Sequence, residues 1–140
     1  GLGINVEPSV GTYVGLFLRA MYADGKPEVY AFNPADRSLS FGVVAKGSLW
    51  RRHFDVAGFG FAAAWISSDH ARYLQMGGID GFIGDGSLRQ AAETVFDTFY
   101  SANVLKAIWF SADYQLISNP GFNADRGPVH VFGGRVHAEF

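Results

Sequence analysis

An all-β fold, an antiparallel barrel that crosses a bilayer, is predicted for this chain from three observations. Segments of about ten residues alternate apolar with small or polar side chains, the period-two signature of a strand whose faces meet different surroundings. Clusters of Gly, Pro, Asn and Asp separate those segments, some short and some long. The composition is 49% hydrophobic and 16% aromatic, yet mean hydropathy is only +0.09, so apolar side chains are interleaved with polar ones. The longest apolar run, Val56 to Ile66, is shorter than the roughly 18 residues a transmembrane helix needs; a tilted strand crosses in about 9–11.

Leu2, Ile4 and Val6 alternate with Gly3, Asn5 and Glu7, predicting a first strand that ends near Pro8. Tyr13 to Tyr22 follows, with Val14, Leu16, Leu18 and Ala20 on one face and Gly15, Phe17 and Arg19 on the other. Turn formers fill 23–37, among them Asp24-Gly25, Pro27, Asn33-Pro34 and Asp36. Ser38 to Leu49 places Leu39, Phe41, Val43 and Ala45 outward, opposite Ser38, Ser40, Gly42 and Lys46. After a polar turn at 51–55 comes Val56 to Ser67, apolar on both faces. Its register is not fixed by pattern, although Phe59, Phe61 and Trp65 suit lipid and Gly58, Gly60, Ala62 and Ala64 suit the interior.

Residues 68–91 form the longest irregular stretch, rich in glycine at 77, 78, 81, 84 and 86. The segment 92–102 reads two ways. Leu88, Ala92, Val95, Phe96 and Phe99 sit at helical spacing with Ser87 as an N-cap, while Glu93, Val95, Asp97 and Phe99 alternate with Thr94, Phe96, Thr98 and Tyr100. Ala107 to Ser118 is a cleaner strand, with Ile108, Phe110, Ala112, Tyr114 and Leu116 facing away from Ser111, Asp113 and Gln115. Asn119-Pro120-Gly121 turns the chain into a last strand that ends at Phe140. There Phe132, Val136 and Ala138 alternate with Gly133, Arg135 and His137.

About seven strands result. With the C-terminus on the periplasmic side, 23–37, 68–91 and 119–127 all fall outside. The links near 8–12, 50–55 and 103–106 become periplasmic turns, and long outer loops with short inner turns are usual for outer-membrane barrels. Seven strands cannot close a bacterial single-chain barrel, which uses an even number of about eight or more. The chain opens Gly-Leu-Gly without a basic-plus-apolar leader. It is therefore expected to be a portion of a longer barrel, or one of several chains that complete one.

If the apolar faces meet lipid, Arg19, Lys46, Glu93, Asp97, Asp113, Gln115 and Arg135 share the lumen, and Trp109 has inward parity. A polar solute in transit would meet carboxylate, amide and guanidinium groups capable of two-point hydrogen bonds, and the face of an indole. The plainer role is that these charges solvate the wall and pair with each other, Asp113 with Arg135 on consecutive strands among them. Asn119, Pro120 and Arg126 are expected to shape a loop, and Tyr22, Trp65 and Tyr100 to lie in interfacial aromatic girdles.

A net charge of −2 gives no footprint for nucleic acid, and the absence of cysteine removes disulfides and thiolate metal sites. His53, His70, His130 and His137 lack metal-ligand spacing, apart from His137 two before Glu139, and the glycines of 77–86 lack a following Lys-Ser/Thr. No nucleophile elbow is present. Passage rather than catalysis is the expectation, with no cofactor. The rivals are a soluble β-barrel or sandwich holding a small apolar ligand, and an outer-membrane assembly component without a transport role.

Ser111 to Phe140, with its D-Y-Q-x-I-x-N-P-G core and terminal G-x-R-x-H-x-x-F, resembles the C-terminal hairpin of carbohydrate-selective porins, the OprB family. Lys46 to Arg51, Gly58 to Ser67 and Glu93 to Tyr100 are similar to that family as well. The chain departs from it in lacking a glycine between Trp50 and the next arginine and a second acid beside Asp55, and Asp97 stands where a glutamate is usual. The resemblance implies that 92–102 is a strand. It also implies a Gram-negative outer-membrane barrel of about sixteen strands, of which this chain is the last seven, admitting glucose and other sugars. The implied partners are transiting mono- or oligosaccharides, lipid, the rest of the barrel and the barrel-assembly machinery that reads a terminal aromatic such as Phe140. Association into a homo-oligomer is left open.

Overall fold

The computed structural model describes residues 1–26, 34–80, 83 and 89–139. Pro27, Asn33, Gly81, Gly84, Gly86, Ser87, Leu88 and Phe140, each assigned a role above, lie outside the described residues. Among those described, the strands are β1 (Leu2–Val6), β2 (Ser9–Val10), β3 (Val14–Tyr22), β4 (Arg37–Lys46), β5 (Val56–Trp65), β6 (Glu93–Leu105), β7 (Ile108–Ser118) and β8 (Val129–Ala138). They form one sheet in the order β1-β3-β4-β5-β6-β7-β8, with β2 also on β3, and every pairing is antiparallel. β1 and β8 lie at opposite edges, so the sheet does not close on itself.

The first strand ends near Pro8 as expected, at Val6, and the same ladder resumes beyond the proline as β2. Val6 pairs with Leu18 and Ser9 with Gly15 in unbroken register, and the Leu16 amide donates to the Pro8 carbonyl at 2.9 Å. Proline removes one donor, which interrupts the ladder without shifting it. β4 is shorter than expected and ends at Lys46 rather than Leu49. The Gly47 amide turns to the Asp55 carbonyl at 2.7 Å and the Arg52 amide to the Gly47 carbonyl at 2.8 Å, so 47–50 wind into a 3₁₀ turn. The segment expected at 92–102 is strand from Glu93, and β6 runs on to Leu105, leaving Lys106 and Ala107 as the turn.

The stretch expected to be irregular contains a helix, α1 (Ser68–Gln75). Ser67 caps it, its side chain accepting from the His70 amide at 3.1 Å, and Asp69 lies in the first turn where the helix dipole favours a negative charge. Eight residues with only Ala71 and Leu74 as inward apolar positions are too few to display a helical period.

The buried apolar residues are gathered at one end. Ala35, Ile66, Ala71, Leu74, Ile83 and Phe122 form one cluster, drawn from all three long connections. Along the sheet, by contrast, large apolar side chains are open, Phe132 at 78% and Val136 at 70% exposure. Burying a side chain of this size stabilises a water-soluble fold by about 1.5–3 kcal/mol, so a sheet that leaves a whole face uncovered is built for a surrounding other than water.

Candidate functional site: the polar face of the sheet

Register sorts the side chains into two faces, because cross-strand partners share a side. One row runs Leu18↔Phe41, Phe41↔Phe61, Phe61↔Phe96, Phe96↔Leu116. Around it lie Val43, Phe59, Tyr114 and Phe132, with ring centroids 5.1–6.4 Å apart from Phe41 through to Phe132. Phe59, Phe61 and Trp65 are therefore on the apolar face, and Gly58, Gly60, Ala62 and Ala64 on the other. Tyr22↔Arg37↔Trp65 ends the apolar face on the loop side, with the Arg37 guanidinium 4.9 Å above the Tyr22 ring. Tyr100 lies on the same face at the opposite, turn-side end.

All eight lumen candidates share the second face, and the structure gives most of them protein partners. Arg19 donates to Glu7 at 2.8 Å and to Asn5 at 3.0 Å, a small network on exposed side chains. Asp97 accepts from Gln115 at 2.6 Å. Glu93 accepts from the Gly121 amide at 2.7 Å, so its carboxylate anchors the 119–122 turn. Trp109 donates to the Phe54 carbonyl at 3.3 Å. Lys46, Asp113 and Arg135 have neither an ion pair nor a side-chain hydrogen bond among the described residues. The expected Asp113–Arg135 pair is not formed: Asp113 lies opposite Gly133, and Arg135 opposite Ser111.

Two rings lie flat across this face. Phe17 pairs with Gly42 and Phe99 with Gly58, and a Cβ on either glycine would run into the ring. Glycine at 42 and 58 is thus the seat for the aromatic beside it, a packing that also shields the bare glycine backbone.

The loop cluster closes over one end of the polar face. Ala64, on that face, packs against it. At its centre His70 lies between two buried carboxylates, Nδ1 3.2 Å from Asp36 and Nε2 2.9 Å from Asp80. Asp36 also accepts from the Ser67 amide at 2.5 Å. A neutral ring has one N–H and can donate to only one of these acids, whereas an imidazolium donates to both. The ring separates the carboxylates, and no group of three such ligands among the described residues is arranged to hold a metal ion. Nearby, Asn119 takes a left-handed φ of 53° and donates to the Ala92 carbonyl at 2.8 Å, in keeping with a loop-shaping role.

At the other end a second buried acid organises the 47–55 turn. Asp55, 2% exposed, accepts from Arg52 at 2.5 Å, from Tyr100 at 2.5 Å and from the Asn103 amide at 2.9 Å. Burial pushes its carboxyl up, but the Arg52, Tyr100 and Asn103 hydrogen bonds outweigh that and hold it below its ordinary value. Trp50 donates to the Tyr100 hydroxyl at 3.1 Å, completing the knot. Arg51 has φ 66°, in the left-handed region. This is the place after Trp50 where a glycine is missing, and the backbone still adopts the glycine-like conformation.

Sequence reasoning placed the polar face but missed His70, Asp36 and the Phe–Gly pairs. Contacts across 34 residues leave no spacing signal, and a phenylalanine on a polar face reads as an exception until its glycine seat is seen.

An antiparallel meander of membrane-length strands, apolar on one face and polar on the other, is the wall of a porin-type transmembrane β-barrel; none of its described helices is long and apolar enough to cross a membrane. The chain belongs to the carbohydrate-selective porin family, the OprB family, whose model matches residues 5–140. That is a family of channels rather than of enzymes. No curated protein and no solved structure matches the chain.

Proposed function

We propose that residues 1–140 are part of a single barrel domain of about sixteen strands in a Gram-negative outer membrane, through which sugars such as glucose diffuse passively. The observation that supports this most is the register, which gathers Arg19, Lys46, Asp97, Trp109, Asp113, Gln115 and Arg135 on one face and Phe41, Phe59, Phe61, Phe96 and Phe132 on the other. Both signs of charge occur along that lining, which suits a neutral polyol better than an ion. A soluble carrier of an apolar ligand would instead bring the aromatic side chains together in an enclosed core.

Edge strands β1 and β8 would each leave a row of backbone groups unpaired in lipid, at several kcal/mol per group. They are the seams at which the rest of the barrel pairs. Tyr22, Trp65 and Tyr100 sit at the two ends of the apolar face, where aromatic girdles meet the headgroups. Phe140 serves as the terminal aromatic read by the assembly machinery. The test is liposome swelling by the full-length protein with glucose, alongside an Arg135→Ala variant. Glucose-driven swelling slowed by the substitution is expected; wild-type liposomes that exclude glucose would refute the reading.

A further inference from the structure

Within the porin reading, on which this step rests, we infer that the turn-side end of the polar face holds a low-affinity pyranose subsite made by Trp109, Asp113 and Arg135. A groove of about 660 Å³ lies there across β6, β7 and β8, with Phe99, Trp109, Asp113, Gly133, Arg135 and His137 among its walls. Of the eight expected lumen residues, only Lys46, Asp113 and Arg135 carry no side-chain partner among the described residues, and two of those three line this groove. Elsewhere on the face Arg19, Glu93 and Asp97 are already engaged with protein, and Lys46 stands apart from the groove. Here Asp113 and Arg135 are left for a solute.

The third component is a fixed aromatic plane. The Trp109 indole is tethered to the Phe54 carbonyl at 3.3 Å and rests against the His137 ring at 5.7 Å. His137 is itself held by Glu139 at 3.1 Å. A preset ring loses little freedom when a solute stacks on it. Gly133 supplies the room: it lies opposite Asp113, and a Cβ there would overlap the carboxylate.

A pyranose has a C–H face and a rim of hydroxyls. The indole takes the first, while the carboxylate accepts from and the guanidinium donates to the second. One acid and one base leave the groove without a net preference for either sign of ion, which favours a neutral sugar. The groove is open to solvent, so release is fast, as conduction requires.

The test is flux of glucose against concentration in liposomes carrying the full-length protein, with the open-chain hexitol mannitol as the ringless comparison. Saturating glucose flux is expected, with Trp109→Ala raising the half-saturating concentration about fivefold, the scale of one lost stacking contact. Mannitol flux should stay within error, and Trp109→Phe should retain most of the glucose effect. Asp113→Asn and Arg135→Gln should each raise the glucose value too. Neither side chain has a protein partner to lose, so these variants decide the matter even where Trp109→Ala fails to assemble. Glucose flux that is linear in wild type, or a half-saturation unmoved by all these variants, overturns the subsite while leaving the porin reading intact. Wild-type liposomes closed to glucose overturn both.

Discussion

At the loop end of the sheet a buried acid, Asp36, is matched by His70 and Ser67, whereas at the turn end another, Asp55, is matched by Arg52, Tyr100 and Asn103. The partners at the loop end come from separate connections, so the ionic contacts tie β3–β4 and β5–β6 loops to each other. Those at the turn end come from one turn and the strand beside it, so they brace a local bend. A carboxylate out of water requires compensation in either place. What differs is whether the compensation links distant segments or stiffens one.

The contrast is sharpest when each acid is left without its partners. Asp55→Ala is expected to have the largest effect. It strips Arg52 and Tyr100 of their shared acceptor and should lower stability by about 3 kcal/mol, in the range for breaking a buried charged network; urea unfolding of the barrel in micelles reads this. His70→Ala leaves Asp36 and Asp80 buried without the ring between them and should cost about 2 kcal/mol. Its signature is spatial: protease should cut the 66–92 connection faster while the turn end stays intact. A global loss with no loop-specific cleavage would mean the two ends are not independent.

Acid separates them further. The Asp55 carboxyl in the folded chain lies below its ordinary value of 3.8. Its stabilisation is therefore complete above pH 3.8 and is lost as pH falls from there through the lowered folded value. Trp50, bonded to Tyr100, should report that loss in its fluorescence, and Asp55→Asn should flatten the same titration. An unchanged titration in the variant would remove Asp55 as its source. The smallest effect expected is a gain. Arg51 sits at φ 66°, so Arg51→Gly should relieve a left-handed strain of roughly 0.5–1 kcal/mol, seen as a higher urea midpoint.

Strand identity and facing were legible because alternation is local. Leu39, Phe41 and Val43 declare their side within five residues, and β7 did so within ten. The register of Val56–Trp65, apolar on both sides, became definite only through its neighbours, with Phe59 opposite Val43 and Phe61 opposite Phe41. Helix α1 was hidden because it is too short to show a period, and the bend at 47–50 because it is closed by the Gly47 amide reaching the Asp55 carbonyl beyond the turn. On the polar face the residue types were visible, but their allegiance was not. Glu93 looked available for solute and instead holds the Gly121 amide. Asp113 looked paired with Arg135, and the register puts each across from a different residue.

Phe17 and Phe99 each recline on a glycine of the adjoining strand. With this face as the proposed lining, the calibre of the passage would depend on residues that no permeating molecule need touch. A methyl group on Gly58, where the Phe99 ring alone is in the way, would tip that ring off the wall and towards the axis, narrowing the aperture while the hydrophilic lining keeps its chemistry. Single-channel conductance would thus have a mechanical adjustment separate from solute preference, located beneath the ring.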